Sequence, residues 1–154
     1  MVVSAKAEAS KVGVEILKKG GNAFDAMIAT DLALAVVYPN AGNLGGGGFM
    51  VYRLNNGDSG SLDFREKAPI TSTKNMFLDI NNDIIKGASQ VGGLSVGVPG
   101  TVAGLFEVHK KFGTLPMSEL IQPAIWFEAG LKYESFWIFC MHAITLGWTG
   151  VVAA

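Results

Sequence analysis

Phe49-Met50-Val51-Tyr52-Arg53-Leu54-Asn55-Asn56-Gly57-Asp58-Ser59-Gly60-Ser61-Leu62-Asp63-Phe64 is the stretch on which the fold class turns. Its two arms, Phe49–Leu54 and Ser59–Phe64, read as strands, and the Asn-Gly pair in the linking Asn55-Asn56-Gly57-Asp58 is a strong hairpin signal. Upstream, Ala9, Val12, Ile16 and Leu17 recur at helical spacing, Lys18 and Lys19 suit the negative end of the helix dipole, and Gly20 is free to close the helix. Asn22 reads as the N-cap of a second helix reaching Val37, whose only charges are Asp25 and Asp31, so it has to be buried almost all round. Pro39 ends it, and the glycines Gly45–Gly48 follow.

Downstream of the hairpin, Ala68–Lys86 is rich in Asn, Asp, Thr and Pro and reads as surface loop, with one helical turn near Met76 and Phe77. Leu94–Val98 alternates as a strand. Beyond Pro99-Gly100, the residues Val102, Leu105, Phe106 and His109 share one helical face, and Gly113 closes that helix. A last helix covers Ser118–Ala129, in which Pro123 is tolerable only near the first turn. Helices, a hairpin and further helices make the chain α+β.

At 154 residues, 49% hydrophobic and 16% charged, the chain is globular and holds one domain or a piece of one. A net charge of -1 from 12 basic and 13 acidic residues gives no electrostatic reason to expect nucleic acid or an anionic membrane as partner. Cys140 stands alone, and no Cys/His cluster has the spacing of a zinc or iron site, so no metal is expected. Met1–Lys11 lacks the uninterrupted apolar core of a secretory signal, so no export signal is expected here.

From Ser135 to Ala154 there is no charge, and Phe136, Trp137, Ile138, Phe139 and Trp148 crowd together. A membrane anchor, a buried helix and an out-of-frame extension compete for this tail. His142, Thr145, Gly147, Thr149 and Gly150 dilute it below what a bilayer span needs, which favours the out-of-frame reading over the membrane. The expected division is therefore 1–130 as the folded part and 131–154 as a divergent apolar tail.

The conventional catalytic constellations are absent. Gly45–Gly48 leads into a strand, whereas a phosphate cradle leads into a helix N-terminus. There is no Gly-x-Ser-x-Gly elbow, and the spacing of Cys140 and His142 does not by itself make a nucleophile and base. His109, beside Lys110 and Lys111, reads as a solvent-facing or packed edge residue. Asp63, Arg65 and Glu66 stand where a strand ends, a place from which side chains reach sites, although residue physics alone favours a charged surface turn.

Five runs occur together and in one order: Gly20-Gly21-Asn22-Ala23-Phe24-Asp25-Ala26; Gly45–Gly48 with Phe49-Met50; Leu62-Asp63-Phe64-Arg65-Glu66; Gly92-Gly93-Leu94-Ser95-Val96-Gly97-Val98-Pro99-Gly100-Thr101-Val102-Ala103-Gly104; and Phe112-Gly113-Thr114-Leu115-Pro116. With them the chain, from Met1 to about Gly130, resembles the γ-glutamyltranspeptidase family. It departs at Lys6-Ala7, where the family has a His-Pro pair, and at Tyr38, where it has a glutamate.

The resemblance implies an N-terminal-nucleophile hydrolase with α-β-β-α layers, made as a precursor that cleaves itself into a large and a small subunit, with this chain as the start of the large one. It implies attack by a threonine of the small subunit on the γ-glutamyl amide of glutathione, transfer of the γ-glutamyl group to water or an acceptor amine, and no cofactor. It assigns Arg65 to the substrate α-carboxylate and places the nucleophile and oxyanion donors in later sequence, so no catalytic residue is expected here and the chain alone is expected to be inactive. Thr101 and Thr114 read as helix-start or turn residues. The implied partners are γ-glutamyl compounds such as glutathione, the rest of the large subunit and the small subunit, in a periplasmic or extracellular setting. A β-lactam acylase and a non-catalytic binding or remnant chain are the alternatives.

Overall fold

The computed structural model describes residues 1–130, and the apolar tail 131–154 lies outside the described residues. In chain order these are α1 (Ala7–Lys18), α2 (Ala23–Val37), β1 (Phe49–Arg53), β2 (Ser59–Asp63), a 3-10 turn at Gly93–Ser95, α3 (Thr101–Phe112) and α4 (Met117–Gly130). The mixed α+β expectation holds.

The core is helical. Ala9, Val12 and Ile16 of α1, Ile28, Ala29 and Ala33 of α2, Leu105 and Val108 of α3, and Leu120 of α4 are buried together. From Phe24 to Val37 no residue of α2 is exposed, as its composition required. Gly13 makes the crossing of α1 and α2 close, because a Cβ there would stand 2.8 Å from the Val2 side chain and also run into the Thr30 hydroxyl. At the outer ends of these two helices, Lys6 Nζ sits 5.3 Å from the centre of the Tyr38 ring, a cation–π contact.

β1 and β2 pair antiparallel, from Phe49 opposite Asp63 to Arg53 opposite Ser59. Alternation sends Met50 and Leu62 toward the helical core and leaves Phe49 and Val51 on the other face, 72% and 80% exposed. The Asn-Gly signal holds with one refinement. Within the turn Asn55–Asp58 only Gly57 takes a positive φ, of 96°, its N–H donates to the Leu54 carbonyl at 3.0 Å, and the strands stop at Arg53 and Asp63, one residue short of Leu54 and Phe64. Phe64 still exchanges hydrogen bonds with Gly48, its N–H donating at 2.9 Å.

Three expectations are corrected. Leu94–Val98 is not a strand: Gly92 at φ 100° starts a 3-10 turn, the Ser95 hydroxyl donates to its carbonyl at 2.7 Å, and only Val98 pairs, with Lys67. Alternation without a partner row gives no ladder. The buried face of α3 is Thr101, Gly104, Leu105 and Val108, while Val102 and Phe106 are 44% and 52% exposed, because Gly104 lies against the Phe64 ring and sets the rotation of the helix. Pro123 is the seventh residue of α4, beyond the first turn. It removes one donor, and burial of Leu120 and Ala124 on either side holds the helix together. The loop over Ala68–Lys86 is as expected, with a turn in which Met76 N–H reaches the Thr73 carbonyl at 3.2 Å, plus a single bridge between Leu78 and Ile84. Among the described residues no helix is long and apolar enough to cross a membrane.

Candidate functional site

Arg65 stands just past the end of β2, where the chain turns away from the sheet. Asp63 Oδ1 accepts its backbone N–H at 3.0 Å, a local side-chain turn that fixes the direction of exit. Two glycine segments close on this turn from either side. A Cβ on Gly47 would stand 2.6 Å from the Glu66 nitrogen and 2.7 Å from the Arg65 Cα. A Cβ on Gly100 would stand 2.9 Å from the Phe64 carbonyl carbon, and one on Gly104 would enter the Phe64 ring. Only hydrogen in place of a side chain permits such approach.

Hydrogen bonds lock the three segments together. The Gly46 carbonyl accepts from the N–H groups of Gly100 at 2.7 Å and Thr101 at 3.1 Å, and Lys67 and Val98 exchange bonds of 3.2 and 2.7 Å. The result is a rigid backbone collar around an exposed arginine. Among the described residues the ion pairs are Lys18 with Glu15 and Lys111 with Glu107, so the Arg65 guanidinium has no carboxylate partner. Asp63 serves the turn, and Glu66 is exposed with its Cβ 3.0 Å from where a Cβ of Gly97 would lie. A planar fork of donors held on a fixed backbone is suited to a carboxylate.

A second constellation was not legible in the sequence. Asn22 caps α2 by accepting from the N–H groups of Phe24 at 2.8 Å and Asp25 at 3.0 Å, and Asp25 returns a bond to the Asn22 N–H at 3.0 Å. The same Asp25 carboxylate accepts from the Thr114 N–H at 3.1 Å and from its hydroxyl, and Asn22 Nδ2 donates to the Phe112 carbonyl at 2.6 Å. Burial works against ionisation of Asp25, yet the hydrogen bonds from Thr114, Asn22 and Leu115 together hold its carboxyl below the usual value. Only the cap itself is foreshadowed, by the Asn-x-x-Asp spacing. His109 is the packed edge residue expected, with Nε2 2.8 Å from the Leu115 carbonyl. Thr101 opens α3 and Thr114 lies in the turn after it, as read from the sequence. Among the described residues no group of three or more His, Cys, Asp or Glu could hold a metal.

The family model described as Gamma-glutamyltranspeptidase matches residues 9–132. The chain belongs to the γ-glutamyltranspeptidase family. The glutathione hydrolase proenzyme of Pseudomonas sp. (strain A14) is 59% identical over 125 residues, which cover 81% of this chain and 22% of that protein. The chain thus spans about a fifth of the length of such curated relatives. The γ-glutamyltranspeptidase of Helicobacter pylori superposes with a TM-score of 0.77 at 53% identity, over 81% of this chain and 36% of that one. A cephalosporin acylase from Bacillus halodurans superposes with a TM-score of 0.71 at 27% identity, over 94% of this chain and 27% of that one. The described residues are an α+β segment of the N-terminal-nucleophile hydrolase fold that γ-glutamyltranspeptidases adopt. Within it the family's sequence runs meet in space: the glycine run, Leu62–Glu66 and the Gly92–Gly104 run form the Arg65 collar, and the Gly20–Ala26 run meets Phe112–Pro116 at Asp25 and Thr114.

Proposed function

We propose that this chain supplies the substrate-carboxylate grip of an enzyme that cleaves the γ-glutamyl amide of glutathione and passes the γ-glutamyl group to water or an acceptor amine. Arg65 takes the α-carboxylate of the γ-glutamyl group through two parallel N–H···O bonds. The observation that carries this reading is the Arg65 guanidinium, without an ion-pair partner among the described residues, on a backbone fixed by Asp63, Gly47 and Gly100. Identity to the Helicobacter γ-glutamyltranspeptidase well above that to the acylase supports γ-glutamyl over β-lactam acyl substrates.

The chemical step belongs to a threonine outside the described residues. Its hydroxyl adds to the γ-carbonyl, the amine leaves with a proton, and water or an acceptor amine later resolves the γ-glutamyl ester. Thr114 is committed to Asp25 and Thr101 is buried at the start of α3, so neither serves as nucleophile. The partners are the remainder of a large subunit and a small subunit, which the exposed Phe49 and Val51 on the outer sheet face support. In the same proposal residues 1–130 open the large subunit, 131–154 form a separate tail, and the compartment is periplasmic or extracellular.

The test is a chimera in which residues 1–130 replace the matching segment of a complete relative. It is expected to release product from a γ-glutamyl anilide, while the 154-residue chain alone releases none above blank. A correctly folded and processed chimera without turnover contradicts the proposal.

A further inference from the structure

We propose that Asn56, at the tip of the hairpin formed by β1 and β2, is a self-modification site that converts to aspartate and isoaspartate when the turn opens, and that Asp58 holds it shut while the hairpin is folded. Asn56-Gly57 is the only Asn-Gly pair in the sequence. The turn needs glycine at position 57, where φ is 96°, a conformation that residues with a side chain rarely adopt. The same glycine leaves its nitrogen unshielded by a Cβ, so the conformation of the turn brings a labile asparagine with it.

In the open turn the Gly57 nitrogen attacks Asn56 Cγ. The bond from Cγ to Nδ2 breaks, ammonia leaves with the proton lost from the Gly57 nitrogen, and a cyclic imide joins the two residues. Water then adds to one of the two imide carbonyls and leaves aspartate or isoaspartate. Residues 55–58 are all exposed, so water reaches the site. Asn55 is followed by Asn56 and not by glycine, which keeps it out of this reaction.

In the folded turn the reacting groups are committed elsewhere. The Gly57 N–H donates to the Leu54 carbonyl at 3.0 Å, and the Leu54 N–H donates to the Asp58 carbonyl at 2.7 Å. Asn56 Nδ2 donates to Asp58 Oδ2 at 2.7 Å, and Asn56 Oδ1 accepts the Asp58 N–H at 3.0 Å. Only this orientation of the amide satisfies both partners, because a carboxylate accepts and an N–H donates. Imide formation removes the Gly57 hydrogen and expels Nδ2, so it has to break the bonds to Leu54 and to Asp58 Oδ2. Arg65 and its collar take no part in this turn, so neither outcome bears on the γ-glutamyl reading.

The experiment incubates the full 154-residue chain in mildly alkaline buffer, with and without urea above its unfolding midpoint, and follows the amide-to-acid mass gain at Asn56 by peptide mass spectrometry. Each native rate is read relative to the same chain's rate in urea. For the parent that ratio is expected to be about one tenth or less. Asp58→Ala removes the Oδ2 acceptor but keeps the N–H, and in the folded variant the ratio is expected to rise about threefold or more. Asp58→Asn, which retains an acceptor oxygen, is expected to restore most of the protection. Equal native and urea rates in the parent, modification mainly at another asparagine, or an Asp58→Ala ratio no higher than the parent's overturns the proposal. The first two of these readouts stand even where Asp58→Ala does not fold.

Discussion

The carboxylate of Asp25, with none of its surface exposed, accepts hydrogen bonds from both the N–H and the hydroxyl of Thr114, 89 residues further along the chain. Together with the Asn22 bond to Phe112, it ties the start of α2 to the turn after α3. Removing the carboxylate strands the Thr114 donors and opens the cap in one step. Asp25→Ala is expected to lower unfolding free energy by about 2 to 3 kcal/mol, and Thr114→Val by about 1 kcal/mol, measured by urea titration. A loss under about 0.5 kcal/mol for Asp25→Ala contradicts the tie.

The two aspartates of α2 titrate with opposite consequences. Hydrogen bonds keep the folded-state carboxyl of Asp25 below its unfolded value, so its contribution is present above about pH 4 and is lost as pH falls through the folded value. Burial raises that of Asp31, so its ionised form destabilises the fold at neutral pH, and the effect fades as pH falls through its raised value. Asp31→Asn is expected to raise the urea midpoint at pH 7 and to leave it unchanged near pH 3, whereas Asp25→Asn lowers it at pH 7. An unchanged midpoint at pH 7 for Asp31→Asn contradicts the assignment.

Glycines of the run before β1 differ in what they permit. A methyl at Gly45 meets nothing within 4 Å, but one at Gly47 meets the Arg65 and Glu66 backbone. Gly47→Ala is expected to destabilise by about 1 to 3 kcal/mol and Gly45→Ala by less than about 0.5 kcal/mol, read from paired thermal melts. Equal melting of the two variants counts against the collar.

Lys6 lies over the Tyr38 ring in a cation–π contact that joins the start of α1 to the end of α2. A double-mutant cycle with Lys6→Met and Tyr38→Leu is expected to give a coupling of about 0.5 kcal/mol. Strict additivity of the two changes means the groups do not interact.

What the sequence made legible is local. Asn22 before a helix, Gly20 after one and Asn-Gly between strands each act within a few residues, and α1, α2, the hairpin and α4 appear within a residue or two of where they were expected. Leu94–Val98 misled because alternation does not reveal whether a partner strand exists, and among the described residues Val98 finds only an isolated bridge to Lys67. The face of α3 was set by Phe64 against Gly104, 40 positions away and invisible to periodicity. Arg65 emerged from its motif, since a lone arginine after a strand is usually a surface charge.

The most direct measurement concerns Arg65 in the chimera, comparing kcat/KM of Arg65→Lys and Arg65→Ala on a γ-glutamyl substrate and on its des-carboxy analogue. A carboxylate grip means a loss of about thirtyfold or more for alanine on the γ-glutamyl substrate, partial recovery by lysine, which keeps the charge without the fork, and little change on the analogue. Both variants within about twofold of the parent on the γ-glutamyl substrate would make Arg65 a surface charge and contradict the assignment.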